Sequence, residues 1–274
     1  MLTERIEGKW IDCFVNTFTL CGVKKDERVA ILSETLSRAV NVHLAELALL
    51  RLGARPFHVV VPTPAQQIDV PIRSTGCSVA IAGNEAVIAA LKASGFVVDC
   101  TVEGTMHAPE LPQVLQAGAR VLYVSNEHPE ILERCAPSLP VRARFEKALK
   151  KVQAAKSMVV TSAAGTDLRI GIEGAPAGGG WGAIDAPGSM DHWPGGLVAC
   201  FPKAHAINGT LVMDRGDINL TFKRHMESPV RLVIEDDYVT RVEGDGLDAE
   251  LMRSYFAGWN DKQAYAAAHV GFGL

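Results

Sequence analysis

The sequence lacks the signals of several large protein classes. Its 274 residues contain no uncharged apolar run of about 18 residues, so no membrane-spanning helix is expected. Residues 1–9 carry mixed charges and no apolar stretch, which does not match a signal peptide. Neither G-x-G-x-x-G nor G-x-x-x-x-G-K-[ST] occurs, so the sequence indicates neither a dinucleotide fingerprint nor a phosphate-binding loop.

Common metal and hydrolase motifs are also missing. The six cysteines lie far apart with no C-x-x-C pair, which argues against a zinc ribbon or a thioredoxin-like redox centre. No H-E-x-x-H or G-x-S-x-G occurs, which argues against a zincin and an α/β-hydrolase. Lys and Arg number 27 against 31 Asp and Glu, with no basic patch, so no nucleic-acid partner is expected. We expect reduced thiols and a cytoplasmic protein with no membrane partner.

The composition is that of an ordinary globular protein, with 48% hydrophobic and 21% charged residues. In the first half, short β-branched runs such as residues 28–32, 57–61 and 120–124 alternate with stretches of helical periodicity. This alternation predicts parallel strands covered by helices on both faces. Residues 1–156 are therefore predicted to form an open, Rossmann-like α/β domain.

The pattern changes after residue 157. Short strand candidates follow one another, including a hairpin over residues 230–242, and a helix is predicted over residues 248–256. Residues 157–274 are therefore predicted to form a mainly antiparallel α+β domain. Residues 175–196, which are rich in glycine and proline, are predicted to be one long irregular loop, and such loops are often functional.

Two of the eight histidines stand out as candidates for chemistry. His192 lies in the glycine-rich segment, beside Asp191 and Trp193, where it could bind an aromatic substrate or move a proton. His269 lies near the last residue, among small neighbours that leave room for a ligand. The residues alone leave an alternative open for each. His192 could be a hydrogen-bonded loop residue, and His269 could be a residue near the terminus without a special role.

These residues belong to an ordered set of short motifs. The motifs are Asp191-His192-Trp193-Pro194, Gly209-Thr210-Leu211-Val212, Gly216-Asp217-Ile218, Ala249-Glu250-Leu251 and His269-Val270-Gly271-Phe272-Gly273-Leu274. With weaker similarity in the first half, including Phe96-Val97-Val98-Asp99, they resemble the 2,5-dihydroxypyridine 5,6-dioxygenase family. That family is similar in turn to the aminopeptidase T metallopeptidases. By the same resemblance, those peptidases place metal-binding glutamates at the positions of Leu197 and His269, and neither glutamate is present here.

The resemblance implies an Fe(II)-dependent ring cleavage of 2,5-dihydroxypyridine by O₂ to N-formylmaleamate, in nicotinate degradation. It implies that His269 is one iron ligand and that His192 binds the substrate or handles a proton. The family carries two further ligands in a His-x-Asp pair several dozen residues downstream, so these are expected beyond Leu274, and the chain is interpreted as a fragment that is inactive alone. An acidic residue of the family corresponds to Gly180. The related families also imply a homo-oligomer.

Two other functions remain open at this point. The first is a metallo-aminopeptidase of the aminopeptidase T type. The second is a non-catalytic α/β protein that binds a small molecule.

Overall fold

The computed structural model describes residues 5–66 and 78–274. They divide into two compact units. The first unit comprises residues 5–65, 78–145 and 180–196, and the second comprises residues 146–179 and 197–274 together with residue 66. The sequence-based boundary at residue 156 treats each domain as one continuous stretch, whereas in the structure residues 180–196 return to the first unit.

The elements are numbered in chain order. The α-helices are α1 (Gly8–Leu20), α2 (Ala39–Arg51), α3 (Glu85–Lys92), α4 (Leu111–Gln116), α5 (Pro129–Arg134), α6 (Leu139–Ala154) and α7 (Leu247–Gly258), and a 3-10 turn spans Lys262–Tyr265. The first eight strands are β1 (Arg28–Glu34), β2 (Arg55–Val61), β3 (Phe96–Asp99), β4 (Arg120–Val124), β5 (Ser157–Thr161), β6 (Asp167–Gly171), β7 (Ala177–Gly180) and β8 (Met190–Trp193). The remaining strands are β9 (Leu197–Cys200), β10 (Ile207–Met213), β11 (Ile218–Asn219), β12 (Arg224–His225), β13 (Val230–Glu235), β14 (Tyr238–Glu243) and β15 (Val270–Gly273).

The first unit is built on a parallel sheet with strand order β2-β1-β3-β4-β8. Alternate residues of β1 enter two cores: Val29 and Ile31 pack with apolar side chains of α1 and α2, whereas Ala30 and Leu32 pack with those of α3 and α4. Because both faces of β1 are covered, residues 29–32 at its centre form a continuous apolar run. The predicted α/β class is confirmed.

The prediction of one long irregular loop over residues 175–196 is wrong. This segment contains β7 and β8, and β8 adds to the edge of the parallel sheet beside β4. The sequence Met-Asp-His-Trp has neither an apolar run nor a clear alternation. Its strand conformation comes from backbone pairing with β4, which local sequence does not reveal.

The second unit is mainly antiparallel among its described residues, as predicted. Its largest sheet has the order β14-β13-β10-β6-β5, and a smaller sheet has the order β15-β9-β7. Helix α7 packs Ala249 and Met252 against Val230 and Leu232 of β13. The predicted hairpin is present as β13 and β14, and it turns at Asp236 and Asp237, which both have positive φ.

Among the helices that the structure describes, none is long and apolar enough to cross a bilayer.

Candidate functional site

His192 lies on β8, at the edge of the parallel sheet. It is in register with Tyr123 of β4, and its side chain is half-buried, with 28% of its surface exposed. Strand β8 ends one residue later at Trp193. His192 therefore lies at the carboxyl edge of a parallel sheet, which is where open α/β proteins commonly bind their ligands.

The neighbouring Asp191 is a buried carboxylate with three backbone donors. The N–H groups of Trp181 and Gly182 donate to its Oδ2 at 2.9 and 3.1 Å. The N–H of His192 donates to its Oδ1 at 2.7 Å, and the same oxygen lies 3.5 Å from Nδ1 of the His192 ring. These contacts compensate the burial of the charge and place a fixed negative group beside the imidazole.

Gly180 provides the space that the Asp191 carboxylate occupies. A Cβ atom at Gly180 would lie 1.6 Å from Asp191 Oδ1 and 2.4 Å from its Cγ. No side chain fits there without moving Asp191, so the acidic residue that the resemblance implies at this position has no room in the present arrangement. Gly195 makes a second close approach, because its Cβ would lie 2.0 Å from the backbone N of Gly182.

Trp193 fixes the end of β8 in the core. Its side chain is fully buried, and its Nε1 donates to the carbonyl oxygens of Leu132 and Cys135, both at 3.1 Å. The ring of Phe14 packs against it, with 4.8 Å between centroids. Because His192 lies between this anchor and Asp191, its backbone position is determined on both sides.

Two further polar residues share the face of the sheet on which His192 lies. Asp99 of β3 is in register with Tyr123 of β4, and Tyr123 is in register with His192. Residues in register on adjacent strands point to the same side, so the three form one row across the sheet. Sequence reasoning did not assign a role to Asp99 or Tyr123. The signal that could have found them is a polar residue at or near the end of a buried apolar strand.

Tyr123 closes this row against the loop that follows β3. Its hydroxyl donates to the carbonyl of Val102 at 3.2 Å, and its ring lies against Gly104. Burial, followed by the negative charge of Asp99, raises the pKa of the Tyr123 phenol well above its usual range. Tyr123 is therefore a hydrogen-bond donor that holds the loop after β3.

His269 lies in the second unit, immediately before β15. The side chain is exposed, and its ring is 5.6 Å from the ring of Phe201, measured between centroids. Leu197, at the other position where the resemblance places a peptidase glutamate, is on β9 and in register with Gly273. An alkyl side chain cannot bind a metal ion.

The two predicted site histidines lie in different units, His192 in the first and His269 in the second. Over residues 5–66 and 78–274, no three side chains of His, Cys, Asp or Glu are grouped so that they could hold a metal ion. The described residues around His269 therefore do not form an iron site by themselves.

Comparison with known proteins places this geometry in a family. Residues 9–274 match the family model for 2,5-dihydroxypyridine 5,6-dioxygenase. The chain is 34% identical over 263 residues to the 2,5-dihydroxypyridine 5,6-dioxygenase of Pseudomonas putida KT2440, an alignment that covers 95% of this chain and 74% of that protein.

Solved structures agree with the family match. The structure of 2,5-dihydroxypyridine dioxygenase from Pseudomonas putida KT2440 superposes with a TM-score of 0.88 at 33% identity, covering 96% of this chain and 76% of the other. AmpT from Thermus thermophilus superposes with a TM-score of 0.65 at 14% identity, covering 97% and 78%, which shows a shared fold with aminopeptidase T. The chain belongs to the 2,5-dihydroxypyridine 5,6-dioxygenase family.

Proposed function

We propose that this protein cleaves the ring of 2,5-dihydroxypyridine with O₂. Both oxygen atoms enter the product, N-formylmaleamate, as the C5–C6 bond breaks, which is a step of nicotinate degradation. The observation that carries the proposal is the 34% identity to a dioxygenase of this name over 95% of the chain. Substrate and O₂ are then the small-molecule partners.

His192 is the residue of the first unit to which we assign contact with the substrate. Its ring is half-buried at the carboxyl edge of the parallel sheet, beside the fixed carboxylate of Asp191. A histidine so placed can accept a proton from a ring hydroxyl, because imidazole exchanges protons near neutral pH. Loss of that proton makes the ring more electron-rich and more reactive towards oxygen.

Fe(II) is the cofactor we propose, with His269 as one ligand. When bound, Fe(II) would bring O₂ and the dihydroxypyridine together and would mediate electron transfer from the ring to oxygen. A mononuclear iron site of this kind commonly uses two histidines and one carboxylate. The described residues bring together no such set, so the proposal requires ligands besides those near His269.

Anaerobic Fe(II) binding followed by O₂ uptake with 2,5-dihydroxypyridine tests the function. The measurement uses the 274-residue chain and any longer form that its gene encodes, each compared with its His269→Ala and His192→Gln variants. We expect at least one form to bind iron and consume one O₂ per ring, His269→Ala to lose iron, and His192→Gln to keep iron but lose turnover. Release of leucine from a leucyl anilide without ring cleavage would contradict the proposal in favour of a peptidase.

We further propose that the enzyme works as a homo-oligomer in the cytoplasm. The related families support the first statement by analogy alone. The free thiols of the described cysteines are consistent with a reducing compartment. Sedimentation of the purified protein would give the oligomer size.

A further inference from the structure

The imidazole of His192 has a charged neighbour, Asp191, to which the sequence analysis gave no role of its own. Asp191 Oδ1 lies 3.5 Å from Nδ1 of the His192 imidazole. Only one ring nitrogen of a neutral histidine carries hydrogen, and the partner of each nitrogen determines which one. A carboxylate is negatively charged and cannot donate a hydrogen bond, so it favours hydrogen on the nearer ring nitrogen, which is Nδ1.

The position of this carboxylate does not depend on the imidazole ring of His192. Asp191 is 4% exposed, and three backbone N–H groups hold its two oxygens. The absence of a side chain at Gly180 leaves the room in which the carboxylate lies. The backbone of residues 180–182 is in turn held against the end of β8, where the N–H of Gly196 donates to the carbonyl of Gly180 at 2.8 Å. Asp191 is therefore oriented before any substrate arrives.

We propose that Asp191 is a positioning residue for His192: it holds the imidazole with hydrogen on Nδ1 and leaves Nε2 free to accept a proton from a hydroxyl of the substrate. In that step the substrate O–H bond breaks, an N–H bond forms at Nε2, and the imidazolium that results is stabilised by the adjacent carboxylate. Gly180 is part of the same arrangement, because any larger residue would displace the Asp191 carboxylate. The inference rests on the proposed function only for the identity of the proton donor.

The tautomer of His192 tests the inference without substrate, iron or activity. Two-bond ¹H–¹⁵N spectra of protein labelled with [¹⁵N]histidine distinguish hydrogen on Nδ1 from hydrogen on Nε2, and the signal of His192 is assigned by its disappearance in His192→Gln. We expect the wild-type protein to carry hydrogen on Nδ1 at pH values where the ring is neutral. A wild-type ring with hydrogen on Nε2 would overturn the proposal, even if no Asp191 variant folds.

Variants test the consequence for turnover. Asp191→Asn places an amide of similar shape beside the ring, and we expect the preference for one tautomer to disappear. We also expect kcat for ring cleavage to fall about 10-fold or more, with the roughly 10²–10⁴-fold contribution of proton-transfer catalysis as the upper limit, while KM changes little. Gly180→Ala should produce the same two effects by displacing the carboxylate, which remains chemically intact.

The matched control is Asp185→Asn, which removes an exposed acid in the same segment that pairs with Arg142 at 2.8 Å. We expect it to leave both the tautomer and kcat unchanged. If Asp191→Asn behaves like this control while His192→Gln abolishes turnover, Asp191 is not a positioning residue, although the proposed function stands. If the wild-type protein cleaves no ring in any form, the proposed function fails, and the tautomer still decides the role of Asp191.

Discussion

Asp99 is a fully buried carboxylate that organises the loop after β3. Its Oδ1 accepts hydrogen bonds from the backbone N–H and hydroxyl of Thr101, at 2.9 and 2.6 Å. Its Oδ2 accepts the same pair from Thr105, both at 2.7 Å. Four donors compensate for the loss of hydration of the buried charge. Asp99 thereby connects the loop to the row of residues that ends at His192.

Removing this acceptor is predicted to destabilise the protein strongly. Asp99→Ala leaves four donors without their acceptor, and we expect the free energy of unfolding to fall by about 3 kcal/mol or more in urea titrations. Asp26→Asn is the control, because its side chain is exposed and pairs only at the surface with Arg55. Equal losses of unfolding free energy in the two variants would show that the buried hydrogen bonds of Asp99 contribute no more to stability than a surface ion pair.

The cysteine thiols differ in burial, and their reactivity is predicted to differ accordingly. Burial raises the pKa of Cys13 to about 11 and that of Cys21 to about 12, whereas Cys135 is exposed. With a pKa near 12, only about one Cys21 in ten thousand is a thiolate at pH 8. We expect iodoacetamide to modify Cys135 first in the native protein, as measured by mass spectrometry, and all three after denaturation. Modification of Cys21 in the native protein as fast as that of Cys135 would contradict this prediction. Cys77 lies outside the described residues and is not part of the prediction.

Helix α7 illustrates, at the scale of an element, how one acidic residue docks a helix. Asp248 in its first turn is buried, and its Oδ2 accepts the backbone N–H groups of Glu227 and Ser228 at 2.8 and 3.0 Å. Burial alone would raise the pKa of this carboxyl, but the donors of Ser228 and Glu227, together with Arg224, outweigh it and hold the pKa below its ordinary value. The negative charge also lies at the favourable end of the helix dipole.

The docking of α7 is therefore predicted to weaken in acid. A carboxyl whose pKa is lower in the folded than in the unfolded state adds stability above the unfolded pKa, near 4, and loses it as the pH falls through the folded value. Asp248→Asn should reduce stability at pH 7 and flatten its decline between about pH 5 and pH 2, as measured by thermal unfolding. A wild-type decline that survives the substitution unchanged would assign acid sensitivity to other carboxyls.

Elements with a local signal were predictable from the sequence. Asn84 precedes an apolar helical stretch, and in the structure its side chain accepts the N–H of Val87 at the start of α3. Strand β8 had no such signal, because four residues with two polar side chains become a strand only through pairing with β4. The same limit applies to the site: His192 could be named from its type and neighbours, whereas its register with Tyr123 is a long-range property.

For the molecule as a whole, the α/β class could be predicted from the alternation of short apolar runs and helical stretches. The assignment of residues 180–196 to the first unit could not, because it depends on pairing between segments far apart in sequence. One core of the first unit includes Trp181, Ala183 and Trp193 together with Phe14 and Leu132. Residues 1–156 therefore lack part of that core and the strand that covers the edge of β4.

A chain cut at residue 156 is accordingly predicted not to fold cooperatively. We expect residues 1–156 alone to bind the dye ANS and to unfold without a sharp transition, since they expose the apolar surface that Trp193 covers. The 274-residue chain, measured in parallel, should show a sharp transition and little dye binding. A sharp transition of the shorter chain would mean that β8 is dispensable for the first unit.

The late position of β8 also has a consequence for synthesis on the ribosome. When β4 leaves the exit tunnel, its open edge, with the sequence Arg-Val-Leu-Tyr-Val, has no partner until residues 190–193 follow it. At about 5–20 residues per second, the interval of some seventy residues lasts several seconds. During that time the strand edge is open to pairing with other nascent chains. Chaperones that bind unpaired strands would therefore act on this protein during synthesis, before β8 emerges.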